Sequence, residues 1–259
     1  MVVKFLAGHH NLLNYELAVK KLNTINIQNL NKILFFKTKI LNMVIHHLLK
    51  TNSVLNTFIK EIRDLNIQKD RMRFRRNLER IGEVLSYELS KELEYSPDKT
   101  FTVLGEKKIK IIHNNLVICS ILRAGLPLHQ GILNYFDTAE NAFISAYRNH
   151  SKNNTDFEIK VEYFATPNLE GKTLIIADPM LATGKSMVTV YEAIKKFGTP
   201  KKIHIISVIG SEFGVKHISK YFPKNTELWI ADIDPTLNEK GYIVPGLGDA
   251  GDLSYGSKL

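Results

Sequence analysis

A doubly wound α/β fold, with a mainly parallel sheet flanked by helices, is predicted by three observations. Short apolar, β-branched runs recur at 117–122, 142–146, 173–177, 203–209 and 227–231. Helical patterns at 126–136, 185–197 and 212–221 separate them. The runs are apolar almost throughout, as parallel strands buried on both faces must be. Gly198 and Pro200 stop the second of these helices in the usual way.

Earlier elements follow the same logic. From Asp70 to about Leu93, the residues Met72, Leu78, Ile81, Val84, Leu85 and Leu89 recur at helical spacing. Arg71, Arg73, Arg75, Arg76 and Arg80 lie on that helix, either as a solvated or subunit-facing surface or as a phosphate contact. A hairpin is expected over 101–112 with its turn near Gly105. Residues 149–166 are polar and then alternating, with Phe157, Ile159, Val161 and Tyr163, which suits an arm that closes over a site.

The chain of 259 residues has room for one sizeable core. Its one cysteine, Cys119, lies in an apolar run and reads as a small buried hydrophobe. That excludes an internal disulfide framework and fits a reducing cytoplasm. The net charge is +9, of which residues 1–42 carry +5 through six lysines against Glu16. The mildly basic remainder suits an anionic small molecule as well as a polynucleotide. Residues 1–42 are expected to be an extension, non-native or disordered, with the working domain at 43–259. No secretory signal is visible at the start, and Lys37, Lys39, His46 and His47 interrupt the stretch 33–49, so no membrane span is expected.

In doubly wound sheets, ligands sit beyond the carboxyl ends of the strands. The run 173–177 leads into Asp178, Pro179, Met180, Leu181, Ala182, Thr183, Gly184, Lys185 and Ser186, and then a helix. A carboxylate at a strand end followed by Thr-Gly-x-Ser at a helix N-terminus suits a phosphate monoester beside sugar hydroxyls. The alternative is a strand-to-helix turn without function. Gly-Lys-Ser imitates the end of a P-loop, but that motif needs glycine at position 179, where proline stands. Arg123, after Ile121-Leu122, and Arg148, after Ala146-Tyr147, fall at strand ends on the same edge and suit a polyanion. The segment from Gly241 to Asp252 holds four glycines and a proline. Such a loop brings main-chain N–H and C=O groups against a flat heterocycle, or else is a flexible glycine-rich tail.

ILRAG, YR, DPMLATGKS and GYIVPGLGDAGD together resemble, in order and spacing, the motifs of the uracil phosphoribosyltransferases, over about residues 50–259. The resemblance implies a type I phosphoribosyltransferase fold with a small hood or β-arm. It implies transfer of the phosphoribosyl group of phosphoribosyl pyrophosphate (PRPP) to uracil, with Mg²⁺ held mainly through PRPP rather than by protein ligands. Arg123, Arg148, Asp178–Ser186 and Asp249 are then the PRPP-binding residues, and Ile243, Gly248, Asp249 and Ala250 hold uracil. Asp178, Arg123 and Asp249 are the residues implied in catalysis. A homodimer or homotetramer and a GTP effector belong to the same expectation. Lys185 stands where many members have a second glycine, and residues 1–42 have no counterpart in the pattern. A silent nucleotide-sensing or RNA-binding regulator on the same fold is the competing reading, supported by the basic helix and the lysine-rich N-terminus.

Overall fold

The structure, a computed structural model, describes residues 43–113, 115–150 and 157–257, and within these no side chain of 146–162. Residues 1–42, and so the expected extension, lie outside the described residues. The central sheet runs in the order β1 (Val44–His47), β10 (Glu227–Asp234), β9 (Lys202–Ser211), β7 (Thr173–Ala177), β4 (Leu116–Leu122), β5 (Glu140–His150) and β6 (Phe157–Ala165). All neighbours are parallel except β6, which is antiparallel to β5. The two-residue strand β8 (Met180–Leu181) adds to the end of β9.

Strand residues alternate between two cores. Leu116, Ile118, Ile175, Ala177, Ile206, Val208, Trp229 and Ala231 face one side. There they meet α1 (Leu55–Arg63), α2 (Arg71–Ser90), α3 (Gly125–Leu133) and α6 (Ala250–Tyr255). Val117, Cys119, Ile121, Leu174, Ile176, Ile203, Ile205, Leu228 and Ile230 face the other, against α4 (Lys185–Ile194) and α5 (Glu212–Tyr221). Both faces being buried explains why these strands read as continuous apolar runs. Cys119 is fully buried, and burial pushes its thiol up to about 12.

The predicted parallel strands and helices are present, with shifts of a few residues at their ends. Three features differ from the sequence reading. The hairpin begins at Tyr95 rather than 101, pairing β2 (Tyr95–Thr102) with β3 (Gly105–Ile112). β1 was not foreseen, because a four-residue strand containing two histidines lacks the apolar signature. The alternating part of 149–166 is the edge strand β6, while 151–156 lie outside the described residues. The basic helix also divides. Arg71, Arg73 and Arg76 are exposed, whereas Arg75 donates to the Ser254 carbonyl at 2.7 Å and Arg80 to Asn77 Oδ1 at 3.3 Å.

At the amino ends of β9 and β10, His46 stacks on Trp229 with ring centres 3.6 Å apart and its Nε2–H donates to Glu227 at 2.9 Å. Lys202 holds the other Glu227 oxygen at 2.7 Å. Burial works to raise the Glu227 pKa, but these two partners overcome it and bring the carboxyl down to about 2. The Trp229 indole N–H donates to His204 Nδ1 at 3.1 Å, so Nδ1 must be the bare nitrogen of a neutral ring. Burial brings His204 down to about 4, although Glu227 pulls the other way. An unfolded imidazole takes up its proton near pH 6.5. Between those values acid therefore loads the unfolded state alone and stability falls. The denaturant midpoint is expected to drop steadily from about pH 6.5 toward about pH 4. His204→Asn should flatten that slope, and an unchanged slope in the variant would contradict the assignment.

Candidate active site

The carboxyl edge of β7 is built on β9. Asp178 N–H donates to the Ile206 carbonyl at 3.1 Å, and the Asp178 carbonyl accepts from the Ser207 hydroxyl at 2.7 Å. The Pro179 carbonyl accepts from both Val208 and Ile209 N–H, at 3.1 and 3.0 Å. Met180 and Leu181 pair with Ile209 and Gly210 as β8, and the Ser211 hydroxyl donates to the Ala182 carbonyl at 2.6 Å. The Pro179 and Ala182 carbonyls and the β8 pairing of Met180 and Leu181 thus anchor this segment on β9. Beyond them the chain leaves β9 at the turn Thr183–Ser186.

That turn depends on Gly184. Its φ of 74° is left-handed, and a Cβ there would lie 3.0 Å from both the Gly214 carbonyl and Ile218 Cγ2. The close approach of α5 is itself possible because Gly214 lies against the Ala182 carbonyl, 2.3 Å from where a Cβ would be. No side chain caps α4, whose first turn begins at exposed Lys185, and Thr183 Oγ1 meets the Lys185 N–H only at 3.4 Å. The opening N–H groups of such a helix suit an anion. Asp178 is part-buried at the strand end and its Oδ1 accepts the Met180 N–H at 3.2 Å, which sets the carboxylate's orientation.

The glycine-rich segment is far from a flexible tail. Thr236–Leu237 (β11) and Ile243–Val244 (β12) pair antiparallel. Asn238 Oδ1 accepts from Lys240 and Tyr242 N–H at 3.0 and 2.9 Å. Gly246 has φ 60°, and a Cβ on it would stand 2.1 Å from the Ile243 carbonyl oxygen, so no other residue fits. Asp249 caps α6, its Oδ1 accepting the Asp252 N–H at 3.0 Å. Ile243 and Ala250 are buried, and Gly248 has φ 100°.

Arg123, which follows β4, is tied to the end of the glycine-rich segment. Gly125 makes room for the turn after β4, since a Cβ on it would meet Ser120 Oγ at 2.5 Å and the Ala177 carbonyl at 3.2 Å. The Arg123 guanidinium donates to Asp252 Oδ1 at 2.9 Å and to the Gly256 carbonyl at 2.5 Å, while its Nε is buried without a partner. The structure therefore places Arg123, Asp249 and the start of α6 together. Arg148 lies further along β5, opposite Ile159 of β6 and beyond the level at which β4 ends. Its side chain is outside the described ones.

Sequence reasoning missed the support beneath this loop. Arg63, Asp232, Asp234 and Gln68 surround residues 246–247. Only the paired carboxylates at the end of β10 carried a local signal. Arg63 precedes Asp234 by 171 positions, a pairing that no periodicity reveals.

A strand-end aspartate followed by a glycine turn that opens a helix without a side-chain cap, with an ordered glycine-rich loop tied to the arginine that follows β4, is an arrangement of the phosphoribosyltransferase type. A family model described as uracil phosphoribosyltransferase matches residues 49–257. A uracil phosphoribosyltransferase of Porphyromonas gingivalis is 53% identical over 217 residues, covering 84% of this chain and 100% of that one. One from Thermococcus sibiricus is 38% identical over 197 residues, covering 75% and 83%. The solved structure of the AQ2163 protein from Aquifex aeolicus is similar, with a TM-score of 0.74 at 30% identity, covering 83% of this chain and 100% of that one. The chain belongs to the uracil phosphoribosyltransferase family.

If the Thr183–Ser186 turn is the anion site, Gly184→Ala forces its backbone out of the left-handed region and into α5. Binding of ribose 5-phosphate, measured by calorimetry, is then expected to weaken by roughly tenfold or more, the effect of about 1.4 kcal/mol. A folded variant with unchanged binding would place the anion site elsewhere.

Proposed function

We propose that the protein transfers the phosphoribosyl group of PRPP to uracil, giving UMP and pyrophosphate. The observation that carries this reading is the α4 turn without a side-chain cap after Asp178, with Arg123 at the end of the neighbouring strand β4 tied to the loop Ile243–Asp252, in a chain whose relatives bear that activity's name. Uracil presents an acceptor–donor–acceptor edge that fixed main-chain groups of Gly248, Asp249 and Ala250 complement. Cytosine carries a donor where uracil has O4, leaving buried groups unpaired, and such sites discriminate by roughly 10⁴-fold.

In the reaction, uracil N1 forms a bond to the anomeric carbon and gives up its proton as the bond from that carbon to pyrophosphate breaks. Positive charge develops on the ribose ring at the transition state. Thr183–Ser186 would hold the 5-phosphate, with Lys185 adding a cation. Asp178 would receive the ribose hydroxyls and stabilise the developing charge. Arg123 and Arg148 would take the departing pyrophosphate, Arg123 exchanging Asp252 and the Gly256 carbonyl for phosphate oxygens. Little covalent chemistry is asked of the protein, and positioning carries the rate.

Mg²⁺ fits this arrangement through the substrate. Among the described residues no three His, Cys, Asp or Glu side chains gather as a metal cage. Mg²⁺ characteristically needs only one or two carboxylates beside phosphate oxygens and water. Asp249, which spends Oδ1 on the α6 cap, would face it. When bound, the ion would neutralise charge on the pyrophosphate.

The same proposal takes in a homodimer or homotetramer, a GTP effector, a cytoplasmic setting, and a functional domain of 43–259 with residues 1–42 dispensable. Phe101, Val103 and Leu104 project at the hairpin tip, 77%, 101% and 95% exposed, an apolar surface suited to a second copy. Among the described residues no helix is long and apolar enough to cross a membrane. The regulator reading draws little support, since Arg73 pairs with Glu61, Arg76 with Glu79 and Arg75 with Ser254.

The test is turnover of uracil, cytosine, hypoxanthine and orotate with PRPP and Mg²⁺. Uracil alone should yield a nucleotide, and a chain begun at Met43 should do the same. Asp178→Asn should lower kcat by about a hundredfold or more, as loss of a transition-state charge partner does, with the melting temperature little changed. Near-normal turnover in that variant, or preference for another base, would overturn the proposal.

A further inference from the structure

We propose that Arg63, a residue of α1 outside the binding motifs, is the positioning residue that sets the base-binding loop and thereby its affinity for uracil. The inference rests on the uracil reading above and concerns how that subsite is held. Arg63 is largely buried, with 18% of its side chain exposed. One terminal nitrogen donates to Asp234 Oδ2 at 2.8 Å and to the Gly246 carbonyl at 2.9 Å. The other donates to Asp232 Oδ2 at 2.8 Å and to Asp234 Oδ1 at 3.1 Å. The Asp234 carboxylate, which receives this fork, in turn accepts the Gly246 N–H at 3.2 Å.

The ion pair therefore grips Gly246 by both its main-chain groups, at the residue whose left-handed backbone turns the loop. Two further contacts extend the grip. Gln68, oriented with its amide nitrogen inward, donates to the Leu247 carbonyl at 2.8 Å and to the Ile62 carbonyl at 3.2 Å. His47 lies 3.2 Å from Asp232 Oδ1 and holds that carboxylate from β1. Residues 246 and 247 are consequently fixed immediately before Gly248–Ala250, the groups assigned to the base edge. A planar fork reading two carboxylates and a carbonyl is a task for arginine, which lysine's single ammonium cannot duplicate.

The contacts at stake grip the O2–N3–O4 edge of uracil rather than the reacting N1, and each 1.4 kcal/mol lost from them weakens binding about tenfold. The loss should fall on ground-state and transition-state binding of uracil equally, which raises KM and leaves kcat alone. None of the Arg63 contacts involves Thr183–Ser186, so the 5-phosphate subsite should be spared, and the PRPP KM should move less than the uracil KM, with Asp249 alone linking the loop to PRPP. The experiment is steady-state kinetics of the full chain with Arg63→Met, Arg63→Lys and Asp232→Asn, both substrates varied and melting temperatures recorded. For Arg63→Met, the uracil KM should rise roughly tenfold or more, with kcat and the PRPP KM within about threefold of the parent. Arg63→Lys should lie between, and Asp232→Asn, which leaves the Asp234 fork, should shift the uracil KM least. If Arg63→Met fails to fold, the lysine and asparagine variants still read the split. Equal loss toward both substrates, or loss of kcat at unchanged uracil KM, overturns the positioning role while an active parent protein leaves the uracil reading intact. A parent protein inert toward uracil and PRPP would sink both.

Discussion

The chemistry of this chain depends on one hydrogen-bond ladder, the parallel pairing that brings the carboxyl ends of β4, β7, β9 and β10 to one edge. Ser120 lies opposite Ala177, and Ala177 opposite Ile206, so the residues that follow each strand emerge as neighbours. Asp178 continues the ladder by one bond, donating to Ile206, before the chain leaves the sheet. From that point its carbonyls are claimed by β9 until Thr183. The turn is consequently presented by a scaffold with little freedom, the condition under which oriented amides and dipoles stabilise charge best.

A second layer of order is electrostatic. Asp234 and Asp232 are satisfied by Arg63, and Asp252 by Arg123. These pairs do different work. The first is deeply set and attached to loop backbone, and is part of the frame. The second is more open, with Arg123 34% and Asp252 40% exposed, and an incoming polyanion can compete for the arginine.

Much of this was legible in the sequence, for reasons that also mark where legibility stopped. Doubly buried strands such as Thr173–Ala177 declare themselves, because every position must be apolar. Gly184 and Gly246 declare themselves because only glycine tolerates their backbone and the atoms crowding them. Asp178 and Asp249 were visible as carboxylates beside turns. What Asp249 does locally, capping α6, was not distinguished from ligand contact. Arg63, Gln68 and His47 carried no signal, since their roles come from tertiary pairings with residues far along the chain. β1 was hidden for a related reason: its histidines are made tolerable by Trp229, Glu227 and Asp232, residues that it meets only after folding.

On the proposed reading, one strand edge would hold a ribose phosphate and a pyrimidine in adjacent, separately built subsites. A crystal structure with UMP bound tests it most directly. The phosphate should lie on the amides of Thr183–Ser186, the ribose hydroxyls against Asp178, and the uracil edge on the main chain of Gly248–Ala250. A UMP molecule with its base away from that loop, or its phosphate away from the start of α4, would contradict it.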